Sequence, residues 1–308
     1  SHASGTDASA TGTDAIASGT NSRGYATSAI ALGTGAVSGV LSPIPGEEAN
    51  NVNTTAIGNN ARASQRNATS LGASANAQAQ SALALGDSAS ARGVQASAVG
   101  TRAVATGTSS FAAGTDAEAS GTSSFAAGTD AEASGTSAIA TGTSAVASGA
   151  SSIATGSSAL ASAQYATAIG ATAQATAVNS FAAGFNAQAS GTDAYALGRG
   201  SRASGTDSIA FGRDAIASNP DAVALGHNSV TAAAVATTGV TVDNRGYTFA
   251  GTSPGSTVSV GTDTIKRTIT NVAAGRISSS STDAINGSQL FATNTAVDAL
   301  GSNLDSVG

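Results

Sequence analysis

Cysteine, methionine and tryptophan are absent from this 308-residue chain, and it holds only 4 prolines, 7 phenylalanines and 4 tyrosines. Without cysteine there is no disulfide framework, no thiol nucleophile and no cysteine-ligated zinc or iron–sulfur site. Two histidines, His2 and His227, leave little for acid–base or metal chemistry. Charged residues make up 10% of the chain, well under the usual quarter of a globular domain. The net charge of −6, with no Lys/Arg cluster, argues against a nucleic-acid partner, which needs cations to neutralise phosphates. No stretch approaches the roughly 18–20 apolar residues of a membrane-spanning helix. No signal peptide stands at the start, which predicts a cytosolic chain or the mature part of an exported one. Large side chains are too few for a conventional core of this length, so neither an enzyme nor a bound cofactor is expected.

What the chain does have is glycine, 38 residues of it, spaced with a strict period, and internal repeats decide a fold before anything else does. Gly58, Gly72, Gly86, Gly100, Gly114, Gly128, Gly142, Gly156, Gly170, Gly184, Gly198, Gly212 and Gly226 follow one another at intervals of 14. Gly5, Gly19 and Gly33 keep the same spacing upstream. The step from Gly33 to Gly58 is one period plus an 11-residue surplus near residues 37–50, which holds Pro43 and Pro45. Residues 107–120 and 121–134 are the same string, GTSSFAAGTDAEAS.

Before each glycine a small residue, nearly always Ala, is flanked by larger apolar ones, as in Leu83/Leu85, Ile209/Phe211 and Val223/Leu225. That is the period-2 alternation of a short strand ending in a turn. Half a period later small residues alternate again, as at Ala117/Ala119 and Ala187/Ala189. Disorder does not hold an apolar register over so many repeats, and a coiled coil would suffer roughly 1 kcal/mol from each interior glycine. The pattern predicts a β-solenoid of 14-residue coils stacked about 4.8 Å apart, with glycine supplying the positive φ at the corners. Its core is expected to be one thin layer supplied by the Ile, Leu and Phe side chains. The small Ala on the opposite face would then let neighbouring chains pack closely.

After Thr231 the period stops. Residues 232–276 read as irregular strands or a hairpin, with turn signals at Asp243-Asn244 and Pro254-Gly255. Leu290, Val297 and Leu304 then fall seven apart, as do Leu300 and Val307. This is an a/d heptad register and reads as the beginning of a coiled coil, with further coils of the rod expected upstream of Gly5.

Three stretches, the repeats TDSIAFGRDAIASN (206–219) and PDAVALGHNSVTAA (220–233), the string RTITNVAAG (267–275) and TDAINGSQL (282–290), together resemble the head, neck and stalk of YadA-like trimeric autotransporter adhesins. The resemblance implies a mainly β fold: a trimeric left-handed parallel β-roll followed by a β-rich neck and a short trimeric coiled coil. The expected divisions are β-roll coils at 1–36 and 51–231, an insertion loop at 37–50, an adaptor at 232–276, a neck at 277–290 and the stalk at 291–308. The resemblance further implies a homotrimer, export through a C-terminal membrane barrel not present here, and display at the bacterial outer membrane. Adhesion to host cells or extracellular matrix would be the role. Trimer contacts are expected from the neck residues Asp283, Ile285, Asn286, Gln289 and Leu290 and from Val297, Leu300 and Leu304.

Other functions were open on the residues alone. Recurrent Gly-Thr-Asp could stack Asp116 on Asp130 and Glu118 on Glu132 as a calcium ladder, although Asp is also a common turn-stabilising residue. Thr-Gly-Thr at 11–13, 106–108 and 141–143 could line an ice-binding face. A monomeric solenoid binding ice or calcium is therefore the alternative reading. His227 and Asp221 near surface serines could be imagined as a triad, though a lone turn histidine is usually a solvated one.

Overall fold

The computed structural model describes residues 1–40 and 52–305. One coil shows how the sequence folds. In residues 107–120, Phe111–Ala113 forms a three-residue strand and Glu118–Ala119 a two-residue strand. Two corners separate them, and both are built alike. Ser109 and Asp116, seven residues apart, sit in the left-handed region at φ 55° and 56°. Asp, Asn and Ser fill most such positions along the rod, because their short polar side chains tolerate this conformation best among non-glycine residues. The fourteen-residue period is thus two seven-residue halves, each a strand and a left-handed turn.

Stacking the coils produces two parallel sheets. The three-residue strands make a 17-stranded sheet and the two-residue strands a 15-stranded one. Register is 14 residues throughout the regular part, as in Phe111 against Phe125 and Glu118 against Glu132. Corner amides join the ladder too: Asp116 N–H donates to the Thr101 carbonyl at 3.0 Å. Between neighbouring described coils the backbone is thus hydrogen-bonded through strands and corners alike, as a buried polar backbone requires.

The tight stack explains the glycine column. Gly114 has φ +134°, and a Cβ there would lie 2.4 Å from the Gly128 carbonyl oxygen of the next coil. A side chain is excluded both by conformation and by contact with rigid backbone.

The expected core is inverted. Four side chains per coil point inward, and nearly all are Ala or Ser: in the coil above they are Ser110, Ala112, Ala117 and Ala119, all buried. The flanking Phe111, Leu85, Ile139 and Phe211 point outward and are between 36% and 53% exposed. The reason is volume. A coil only three residues wide closes the two sheets too near each other for anything larger than Ala or Ser, so the bulky neighbours must take the other face of the pleat. Some inward serines bond locally, as Ser152 Oγ does to the Gly149 carbonyl at 2.7 Å and Ser208 Oγ to that of Gly205 at 2.7 Å, whereas the Oγ atoms of Ser70, Ser110 and Ser124 are buried without a partner among the described residues.

Val37–Ser38, expected to open the insertion, is instead a regular strand paired with Arg62–Ala63, because its outward-inward alternation continues the coil pattern. Ser38 Oγ and Thr54 Oγ1 lie 2.8 Å apart inside the coil, and Ile30 pairs with Thr55 across the surplus. The rest of the expected loop, 41–50, lies outside the described residues.

Beyond the rod, Gly239–Val242 and Arg245–Thr248 form an antiparallel hairpin. Asp243 and Asn244 have φ 49° and 62°, the two positive values that a type I′ turn demands. The chain then returns to the solenoid: Val258–Ser259 pairs in parallel with Val223–Ala224 and closes the last coil. A helix, α1, runs from Gly287 to Asp305, beginning inside the segment expected as neck.

Gly128, at φ +141° with a Cβ position 2.5 Å from the Gly142 carbonyl oxygen, tests the stacking constraint. Gly128→Ala is expected to destabilise by about 1–3 kcal/mol from backbone strain alone, more where the coils must part. Urea unfolding followed by circular dichroism measures it, and an unchanged midpoint would contradict the account.

Candidate functional site

The outward face of the 17-stranded sheet is an apolar ridge two residues wide. Its first column includes Leu83, Phe111, Phe125, Ile139, Ile153, Phe181, Tyr195 and Ile209, and its second includes Leu71, Leu85, Leu197, Phe211 and Leu225. Ring stacking continues along it, with centroids 5.2 Å apart for Phe111 and Phe125 and 6.0 Å for Phe181 and Tyr195. The face of the 15-stranded sheet is mixed instead: Arg62, Asn76, Glu118, Glu132, Gln174 and Arg202 alternate with Val104, Val146 and Ile216. An exposed apolar strip of this length marks a surface built to be covered.

The neck is held together by bonds between the two motifs quoted above. Asn286 precedes α1 and accepts the Gln289 N–H on Oδ1 at 3.3 Å, while Gln289 Oε1 accepts the Asn286 N–H at 3.1 Å. That reciprocal pair is a capping box. The same two side chains also grip the upstream segment: Asn286 Nδ2 donates to the Val272 carbonyl at 3.1 Å, and Gln289 Nε2 to that of Gly275 at 2.6 Å. Gly275 is needed there, since a Cβ would lie 2.2 Å from the Ala284 carbonyl oxygen. Arg276 Nε donates to Asp283 at 2.8 Å, and that hydrogen bond, with the Arg276 backbone N–H, holds the Asp283 carboxyl below its ordinary range.

Of the residues expected to assemble the chain, Asp283, Asn286 and Gln289 therefore have partners within the neck. Ile285, Leu290, Val297 and Leu300 are exposed, at 55–61%; Leu290, Val297 and Leu300 lie on α1 at the predicted heptad positions, and Ile285 precedes the helix. Leu304 lies in α1, and its side chain is outside the described residues.

One important residue escaped the sequence reading. Arg267 donates to the His227 carbonyl at 2.6 Å, the Val260 carbonyl at 2.5 Å and Ser229 Oγ at 3.1 Å, and so caps the open end of the solenoid. Only the pattern around it was available as a signal: Val258-Ser259-Val260-Gly261 repeats the apolar-small-apolar-glycine signature of the coils.

Glu118 does stack on Glu132, but among the described residues no group of three or more His, Asp or Glu could hold a metal ion. Asp116 is taken by Arg102, whose Nε donates at 2.6 Å and whose hydrogen bond lowers the carboxyl's pKa. His227 accepts from Arg213 at one corner, whereas Asp221 occupies the opposite corner. The Thr-Gly-Thr triplets at 11–13 and 106–108 lie at one corner and that at 141–143 at the other, so they form no single ladder.

Comparison with known proteins places this architecture. The YadA head domain repeat matches residues 3–22 and, in successive two-repeat units, 49–75, 77–103, 105–131, 133–159, 161–187, 189–215 and 203–229. The coiled stalk of trimeric autotransporter adhesin matches 268–308. The chain belongs to the YadA-like trimeric autotransporter adhesins. It is 58% identical over 72 residues, 23% of its length, to autotransporter adhesin BtaE of Brucella suis biovar 1 (strain 1330). Those residues span 10% of that relative. Among solved structures it is similar to the C-terminal YadA-like domain of a Burkholderia pseudomallei protein (54% identity, TM-score 0.33, 34% of this chain and 49% of that one). It is also similar to the collagen-binding domain of Yersinia adhesin YadA (25% identity, TM-score 0.30, 72% and 87%). Among the described residues of this adhesin-family chain, no helix is long and apolar enough to cross a membrane.

Two outcomes test the neck. Arg267→Ala leaves three acceptors unpaired and is expected to cost about 1–2 kcal/mol, with hydrogen-exchange protection lost first at the Val223 and Val230 amides. Asp283 titrates low, so its bond to Arg276 is fully present above the unfolded carboxyl value of about 3.9 and is lost as pH falls through the lower folded value. Protection of the Arg276 amide, which donates to Asp283 at 3.1 Å, should be flat from neutral pH down to that range and drop only below it. A loss centred near pH 6 would contradict this.

Proposed function

We propose that this chain is the trimeric, non-catalytic head and upper stalk of a surface adhesin that attaches bacteria to host cells or extracellular matrix. The observation that carries the reading is the apolar ridge. No described residue of one protomer covers it, and three copies related by a threefold axis cover it by facing one another. The ridge then runs along the axis, the three necks clamp the rolls, and the stripe of Leu290, Val297 and Leu300 continues the same axis as a coiled coil. Asp283, Asn286 and Gln289 set the neck so that the roll and the helix share that axis, and Ile285 joins the apolar contact. Family membership supports left-handed rolls and anchoring of the whole protein in the outer membrane. A rod of many equivalent coils in three copies suits avid, low-affinity attachment better than one deep pocket does.

Light scattering on the purified chain should give three times the 28.9 kDa chain mass, and a stable 28.9 kDa species would overturn the reading. Val297→Asp buries a charge in the seam and should loosen the trimer at the stalk end, lowering its dissociation temperature. Binding to collagen, fibronectin, laminin and cultured cells tests the adhesive role. Trimer that binds none of these would leave the assembly standing and remove the host-ligand assignment.

A further inference from the structure

The coils nearest the neck are electrically polarised across their width. At the glycine corner, where the long strand passes into the short one, successive coils carry Arg199 and Arg213, both exposed, followed by His227. At the opposite corner, where the short strand returns to the long one, the same coils carry Asp193, Asp207 and Asp221, all in the left-handed conformation at φ 55–57°. Among the described residues the acidic column meets no cation, and in the basic column only Arg213 is partly neutralised, by Asp214 at its own corner. Arg199 lies 5.8 Å from the Phe185 ring centroid, a cation–π contact that leaves its charge intact. Arg213 is 3.4 Å from the neighbouring Asp214 and also donates to His227. Asp193 accepts only a neutral donor, Asn179 Nδ2 at 2.9 Å.

We propose that these two corners are complementary halves of one protomer–protomer contact, with the basic corner of each chain seated against the acidic corner of the next. The proposal rests on the trimer reading above. With the ridge turned toward a threefold axis, three flattened coils form the sides of a triangle, and each vertex brings the glycine corner of one chain to the return corner of its neighbour. Cyclic symmetry makes such a contact heterologous and repeats it three times.

The axial heights match. Coils rise about 4.8 Å per fourteen residues, so Asp207, eight residues beyond Arg199 and six before Arg213, stands roughly midway in height between the two guanidinium columns. Asp193 and Asp221 flank them below and above. Symmetry without axial slip thus interleaves arginine and aspartate like the teeth of a zip, and a slip of one half-coil would spoil it. Beside an apolar strip that resists sliding only weakly, a charge pattern of this kind fixes register. A second coil repeats the arrangement with the sign reversed: Asp87 is at its glycine corner and Arg92 at its return corner. The first coil has Asp7 and Asp14 at its two corners, so the contact belongs to particular levels of the rod and not to all.

The absence of native cysteine makes the test clean. In the double variant Asp207→Cys with Arg213→Cys, a bridge within one chain is excluded. The extended segment between the two positions sets their Cα atoms on the order of 15 Å apart, about twice a disulfide's reach. Under mild oxidation the variant should run as a covalent trimer on non-reducing gels and collapse to monomer on reduction, while either single variant should not. Light scattering on the unmodified chain separates the two readings. A trimer whose double variant stays uncrosslinked overturns the corner contact alone, and a monomer overturns both. Should the cysteine pair disturb folding, charge reversal serves. Arg199→Asp with Arg213→Asp should lower the trimer's melting temperature in low salt, and adding Asp193→Arg with Asp207→Arg should recover most of the loss. Absence of recovery would count against the pairing.

Discussion

The whole architecture follows from how little room a fourteen-residue coil encloses. Two strands of three and two residues, joined by left-handed corners, bring their sheets together until only Ala or Ser fits between them. Phe, Leu and Ile are then excluded from the interior that they would occupy in most folds. Alternation along each strand sends them to the opposite face, where they line up from coil to coil because the register is in phase. A ridge of large apolar side chains on the outside is therefore the geometric counterpart of an alanine core and not a separate adaptation.

An interior of methyl groups contributes little against the cost of ordering fourteen residues per coil. Two things add to it. The first is the backbone ladder, which runs unbroken through strands and corners and leaves few amides without a partner. The second, in the proposed trimer, is coverage of the ridge, which no described residue of a single chain provides. On that reading stability and assembly are coupled: apolar area that an ordinary domain would bury on folding is left for burial on association. The rod's last edge also has to be closed, since an open parallel edge invites further pairing. Val258–Ser259 lays one more strand on it, and Arg267 binds the carbonyls and hydroxyl at the end. From there the neck bonds lead directly into α1, so the rod, its cap and the helix form one connected sequence of contacts.

Much of this was legible in the residues. The glycine interval gave the coil length, the alternation gave the two strands, and Asp243-Asn244 gave the hairpin. What failed was the assignment of inside and outside. A period-2 pattern states which residues share a face but not which face is interior, and the habit of placing large apolar residues inside chose wrongly. The decisive clue was that Ala, not Ile or Leu, is the near-constant residue: a cavity of fixed small volume constrains its occupants more tightly than an outer surface does. The role of Asn286 and Gln289 within the chain was hidden for a different reason. Their partners, Val272 and Gly275, lie fourteen residues upstream, and capping geometry is not visible from spacing alone. Arg267 was missed because its acceptors, at His227 and Ser229, lie about forty residues away in sequence.

Once interior, glycine columns and ridge are committed, few positions remain free to vary. They are the corner side chains and the outward residues of the short strands. It is there that the repeats lose their uniformity, with Tyr165 and Phe185 more than half exposed at corners where most other coils carry polar or small residues, and with Arg, Glu and Gln scattered over the short-strand face. In a trimer the corners divide between contacts to the neighbouring chain and the solvent rim, and the short-strand faces point outward on all three sides. Specificity for a host ligand, in the proposed role, must be written on those faces and rims. A repeat architecture of this kind can therefore change what it binds without changing how it folds, because the residues that set the coil and those available for recognition occupy different columns.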